Sequence, residues 1–229
     1  MTEVSGGTPA TGAYDPGCTR CPRLAAFLRE TRSHFPDYWA RPVPSFGDAE
    51  ARILIVGLAP GMHGANRTAR PFTGDHAGIL LYQSLFEAGL ATAATSHSAA
   101  DGLRLTGARI ANAVKCVPPQ NKPLPAEIRC CNAYLAQEMR DLTGVRVYLA
   151  LGRVAHEAVL LAQQLPRGRY AFAHAGEHRL NEAQVMLDSY HCSRYNTQTR
   201  RLTGAMFRSV LARACELAGL PVPAALAGA

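Results

Sequence analysis

The sequence predicts an α/β fold, a three-layer α/β/α sandwich around a central four-stranded, mainly parallel sheet. Two observations carry that expectation. Four short apolar runs, each suited to a strand buried on both faces, alternate with longer segments whose apolar residues recur at three- and four-residue spacing. Three of the runs are followed by segments dense in Gly, Pro or polar residues, at the carboxyl ends of strands where open α/β sheets build ligand sites.

The elements follow in chain order. Residues 1–16 are rich in Gly, Thr, Ala and Pro without periodicity and read as a flexible leader. Strands are expected at 52–57, 108–114, 145–150 and 184–188, where Ile, Val, Leu and Ala cluster. Helices are expected at 76–87, 126–141, 154–163 and 199–217, from the amphipathic period. The Pro-Val-Pro-Ala stretch over 221–229 reads as a loosely held tail. With 229 residues and 48% hydrophobic content, one core and one domain over 17–220 are expected.

Lys and Arg outnumber Asp and Glu by 24 to 17, and the formal charge of +7 favours a polyanionic partner. No run approaches the roughly 20 apolar residues of a membrane span, and the first residues lack the pattern of a secretory signal. An intracellular, soluble protein that does not engage membranes is therefore expected. In such a compartment seven cysteines, an odd count, point to metal ligation rather than disulfides.

Cys18 and Cys21 form a C-x2-C pair, and Cys116 with one of the adjacent Cys130 and Cys131 completes four thiolates in two clips. Spacing alone leaves an iron–sulfur cluster and a structural zinc both open, along with a reading of Cys116 and Cys131 as small buried hydrophobes. Cys215 sits on an apolar helical stripe and reads as core.

The segment from Gly57 to Asp75 is too long and too rich in Gly and Pro for a simple strand-to-helix turn. Its glycines allow a ligand to approach the backbone, Arg67 and Arg70 are candidates for phosphate contacts, and Phe72 offers a flat face to a base or a filler to the core. Asp75 stands just before a helix, where it serves as an N-cap, as a catalyst, or both.

Taken together, these residues resemble the iron–sulfur uracil-DNA glycosylases, and within them the branch called family 5 or type B. The likeness rests on Cys18-Thr-Arg-Cys21, Gly57-Leu-Ala-Pro-Gly61, Asn66-Arg-Thr68, Phe72-Thr-Gly-Asp75, Asn112-Ala-Val-Lys-Cys-Val-Pro-Pro119 and His191-Cys-Ser193. It implies a 4Fe-4S cluster on Cys18, Cys21, Cys116 and Cys131, the last chosen because it follows Glu127 by four residues. The cluster is expected to be structural, since glycosidic hydrolysis moves no electrons. Many relatives carry a polar residue at the end of the loop matching Gly57–Gly61 to position water. Here Gly61 stands there, and the resemblance shifts that role toward Asp75.

The expected substrate is double-stranded DNA carrying uracil or another deaminated base such as hypoxanthine, acted on by a monomer after base flipping. Phe72 is expected to stack on the flipped base, with the backbone at Gly57 and Ala59 and the Asn112 amide reading its edge. Asn121 approaches the same site. Asp75 is to stabilise the sugar cation or orient water, and a neutral His191 is to donate to the departing base. Ser193, Arg194, Tyr195 and Arg200 form a loop suited to phosphate contact and to wedging into the duplex, although a solvated surface loop has the same composition. The competing reading is an iron–sulfur or zinc-bearing nucleic-acid-binding or redox protein without glycosylase activity.

Overall fold

The computed structural model describes residues 14–227, so residues 1–13 of the expected leader lie outside the described residues. In chain order the elements are α1 (Pro22–His34), β1 (Phe46–Gly47), β2 (Ile53–Gly57), α2 (Ala65–Thr68), α3 (His76–Glu87) and β3 (Ala108–Asn112). There follow α4 (Pro125–Asp141), β4 (Val147–Leu151), α5 (Arg153–Ala162), β5 (Glu177–Arg179), β6 (Val185–Ser189), α6 (Arg194–Gln198), α7 (Gly204–Ala218) and α8 (Ala224–Ala227). Short 3-10 turns occupy Pro119–Asn121 and Arg167–Arg169. None of the helices is long and apolar enough to cross a membrane, among the described residues.

The four expected strands form the parallel centre of the sheet, in the order β3-β2-β4-β6. The sheet has six strands rather than four, because β1 and β5 add antiparallel edges. Both edges escape a sequence reading for a physical reason: β1 has two residues, and β5 has three with an exposed–intermediate–exposed pattern, too short to show a period.

Alternating side chains divide the central strands between two cores. Ile53, Ile55, Val147 and Leu149 pack with Leu81 and Leu85 of α3 and with Phe207 and Leu211 of α7. Leu54, Val56, Tyr148 and Ala150 face the other way, onto Leu135 and Met139 of α4 and Val159 of α5. Because both faces are covered, β2, β4 and β6 are buried along their whole length, which is why β2 and β4 read as unbroken apolar runs, and β6 as one up to Asp188. Register places Gly57 beside Asn112 and Leu151 beside Ser189, so the loops leaving β2, β3 and β6 emerge at one end of the sheet.

Three further differences from the expected elements have local causes. The first helix was not anticipated, although Leu24, Ala25, Leu28 and Thr31 bury one face at helical spacing. The helix expected at 199–217 starts later, as α7 at Gly204, because Arg200 turns to φ 57° and Thr203 caps the start by accepting from the Met206 N–H, while the loop expected just ahead of it holds the short α6. Within the segment expected as a loose tail, Ala224–Ala227 form α8 and Leu226 sits in the core at 2% exposure, while residues 228–229 lie outside the described residues.

Candidate active site and cysteine pocket

The loop leaving β2 is shaped by close approaches that only glycine permits. A Cβ at Gly57 would stand 2.5 Å from Asn112 Oδ1 and 2.7 Å from Phe72 Cζ, and one at Gly64 would stand 2.6 Å from Asp75 Oδ2. The loop folds through α2 and brings Phe72, at φ 56°, under the start of α3. Asp75 is the N-cap of α3 and accepts the Gly78 N–H at 3.0 Å. Burial raises its pKa, opposed in part by the backbone N–H groups of Gly78 and Ala77 and by His76.

Asp75 lines a cavity of about 380 Å³ that it shares with Ala59, Phe72, Asn112, Asn121, His191 and Ser193. Residues expected from four separate stretches thus meet in one place. Phe72 and His191 lie with ring centroids 5.8 Å apart at an interplanar angle of 31°. Burial pushes the His191 imidazole down to about 4, so the ring is neutral near pH 7. Asn112 is 3% exposed, and its Oδ1 has no hydrogen-bond partner. Asn121 reaches the cavity from the end of a 3-10 turn in a left-handed conformation, φ 57°. Leu58, Gly61 and Ala77 also line it and were not singled out as base contacts, although the first two belong to the same Gly-rich motif.

Arg70 departs from its expected place at the DNA surface. It is 3% exposed, donates to Asp101 Oδ1 at 2.8 Å and to Ser96 Oγ at 2.9 Å, and lies 4.4 Å from the centre of the Phe46 ring. Its charge is already spent on a part-buried ion pair with Asp101, a partner too distant in sequence to be read from local spacing. Arg67 is exposed, with its Nε donating to the His63 carbonyl at 2.8 Å. Arg194 and Arg200 are exposed, and Tyr195 projects from α6 at 70% exposure. Ser193 caps α6 by accepting the Asn196 N–H at 3.4 Å.

Behind the cavity wall, Cys18, Cys21, Cys116, Cys130 and Cys131 surround a second pocket, together with Lys115 and Tyr134. The Lys115 N–H donates to Cys131 Sγ at 3.2 Å. Burial pushes the Cys116 thiol up, and the neighbouring thiolates of Cys131, Cys18 and Cys21 push it further. Burial likewise takes Cys21 up to about 12, followed by Cys130 and Cys131. Sulfurs that disfavour one another's ionisation in this way suit a cationic guest.

Among the described residues, the ligand atoms that close to within 4.8 Å as a group of three are those of His156, His178 and Asp188, not the cysteine sulfurs. The four-thiolate cage offers the donor set that an iron–sulfur cluster or a structural zinc takes. The cage joins two parts of the chain. Arg23 on α1 donates to both Glu127 oxygens on α4, at 2.8 and 2.7 Å, and Glu127 also accepts the Leu124 N–H at 2.7 Å.

The Uracil DNA glycosylase superfamily matches residues 44–215, the stretch that holds the whole sheet and the strand ends that carry this cavity. A type-5 uracil-DNA glycosylase of Thermus thermophilus is 50% identical over 208 residues, spanning 89% of this chain and 94% of that protein. Another, of Mycobacterium tuberculosis, is 42% identical over 213 residues, 89% of this chain and 79% of that protein. The likeness to a type-4 uracil-DNA glycosylase of Archaeoglobus fulgidus is lower, 32% over 145 residues, covering 62% of this chain and 58% of the relative. The chain belongs to the type-5 uracil-DNA glycosylases of that superfamily.

Proposed function

We propose that this chain hydrolyses the N-glycosidic bond of uracil in double-stranded DNA, and that its cavity also takes hypoxanthine. The observation that carries the reading is the convergence of Phe72, Asp75, Asn112 and His191 on one cavity of about 380 Å³, with an unpartnered buried acceptor on Asn112. A base inside a duplex is out of reach, so the nucleotide flips out at a cost of a few kcal/mol, least for uracil opposite guanine. Phe72 then stacks on the base. Asn112 Oδ1 accepts the N3–H of uracil, while its Nδ2 donates to a ring carbonyl. Ala59 and Gly61 present no bulk to the ring, which leaves room for a purine.

As the bond breaks, positive charge grows on the sugar and negative charge on the base. The Asp75 carboxylate stabilises the sugar cation and holds the attacking water, whose proton it accepts. Neutral His191 donates an N–H to the departing uracil oxygen. Arg67, Arg194 and Arg200 meet phosphates, Ser193 orders the loop beside the cavity, and exposed Tyr195 enters the gap that the flipped nucleotide leaves. Cys18, Cys21, Cys116 and Cys131 hold a 4Fe-4S cluster, with Cys131 favoured over Cys130 because it is buried and accepts the Lys115 N–H. The cluster supplies a structural tie between α1 and α4.

The test is alkali-revealed cleavage of a labelled duplex with one U·G pair, run with the wild type beside Asp75→Asn. Asparagine retains the cap on α3 and removes the charge. Breaks at uracil from the wild type, and about 100-fold fewer from the folded variant, support the reading. Intact DNA after incubation with iron-loaded wild type overturns it.

A further inference from the structure

Away from both pockets, one more group of side chains has the chemistry of a site. His156 on α5, His178 on the edge strand β5 and Asp188 on β6 each offer a ligand atom within 4.8 Å of the other two. The side chains are 2%, 14% and 0% exposed. His156 Nδ1 lies 2.9 Å from both carboxylate oxygens, and His178 Nε2 lies 3.0 Å from Oδ2. The other nitrogen of His156, Nε2, is 3.1 Å from the Tyr170 carbonyl oxygen.

Counting protons exposes a shortage. Three ring nitrogens face acceptors, but two neutral imidazoles carry only one N–H each in that set. The deficit is made up either by a further proton on one ring or by a cation held between His156 Nδ1, His178 Nε2 and the carboxylate. Gly176 keeps side-chain bulk out of that place: a Cβ there would stand 2.9 Å from the Ala173 carbonyl oxygen, 3.3 Å from His178 Nε2 and 3.5 Å from Asp188 Oδ2.

We propose that His156, His178 and Asp188 bind a divalent transition-metal ion of the zinc class. The ion takes the lone pairs of His156 Nδ1 and His178 Nε2, and the single proton of His156 then rests on Nε2. There it donates to the Tyr170 carbonyl, the outer contact that commonly orients a zinc-bound imidazole. Bonds of ~2.0–2.1 Å in tetrahedral array set ligand atoms roughly 3.3 Å apart, so the three side chains open by a few tenths of an ångström, and water completes the shell on the Gly176 side. Three elements are tied together at a point three residues before His191, next to the Gly152 N–H that donates to the Ser189 carbonyl at 2.8 Å.

The test titrates zinc chloride into chelator-dialysed full-length protein by calorimetry, with visible absorbance, thermal melting and a His178→Ala comparison. His178 lies on a short edge strand, so that variant should keep the fold, and Asp188→Asn serves as a second, nearly isosteric change. The expected result is one equivalent of zinc bound, a raised melting temperature, and affinity weakened roughly 100-fold in either variant with unchanged visible absorbance and circular dichroism. Equal affinity in His178→Ala places the zinc on the cysteines and overturns the proposal. Absence of heat and of any melting shift in the wild type also overturns it, leaving the three side chains a proton-sharing group.

Discussion

Asp75 shows how one carboxylate serves two purposes. As N-cap it accepts a backbone N–H, and as a cavity wall it sits where burial raises its pKa. Activity that needs the ionised form is lost as pH falls through that raised value, so the acid limb of kcat should lie above the ~3.9 of an ordinary aspartate. His191 stays neutral down to about 4 and adds no limb near neutrality. A pH–rate profile under single-turnover conditions checks this, and the limb should vanish in the residual activity of Asp75→Asn. Gly57 yields a second prediction, because an added methyl would meet Asn112 and Phe72 at once. Gly57→Ala should lower kcat/KM for uracil by about tenfold or more and the melting temperature by several degrees, as overpacking of ~1–3 kcal/mol falls on the cavity wall. Residue by residue, the site was largely legible: Phe72, Asp75, Asn112, Asn121 and His191 were all chosen from motif and position, and all line the cavity. Arg70 was misread, since its partner Asp101 lies on a different loop and composition alone does not distinguish a buried guanidinium from a solvated one.

At the scale of elements, α6 and the loop ahead of α3 carry the surface chemistry. Tyr195 stands out from α6, 70% exposed among the described residues. Tyr195→Ala should depress cleavage of uracil in duplex DNA well below that in single strands, and equal losses on both substrates would remove the wedge from the mechanism. Arg70 and Arg194 form a contrasting pair. Arg70→Ala should cost about 2 kcal/mol of stability by emptying the buried place where the guanidinium meets Asp101, Ser96 and the Phe46 ring, and the salt slope of DNA binding should stay unchanged. Arg194→Ala should leave melting alone and reduce that slope by about one. Denaturant titration and binding isotherms at several salt concentrations separate the two. Long elements announced themselves through period, and α3 runs over His76–Glu87 as its apolar spacing and its Asp cap indicate. Short ones did not: β1 and β5 hold two and three residues, and the break between α6 and α7 depends on a single left-handed residue, Arg200.

Over the whole molecule, stability extends past the last long helix. Leu226 of α8 is buried against the α3–α7 core, so truncation after Leu220 should cost about 2 kcal/mol and lower the melting temperature, with U·G cleavage at 25 °C retained. Differential scanning calorimetry beside the cleavage assay checks both halves of that statement. The sheet order explains why distant motifs cooperate: β2, β3 and β6 run parallel, so the residues after Gly57, Asn112 and Ser189 leave from one end and meet. Apolar run length, amphipathic period, cysteine spacing and the Gly-rich loop were enough to specify an α/β chain, its parallel centre and the motifs of its family. These are local signals, set by residues a few positions apart. Which arginine would be buried, how many strands would edge the sheet, and that His156, His178 and Asp188 would meet depended on contacts between residues 10 to 32 positions apart or more, such as His178 with Asp188 and His156 with Asp188. Only packing of the finished chain brings such pairs together, because burial and partner choice belong to the tertiary structure and leave no periodic trace in the sequence.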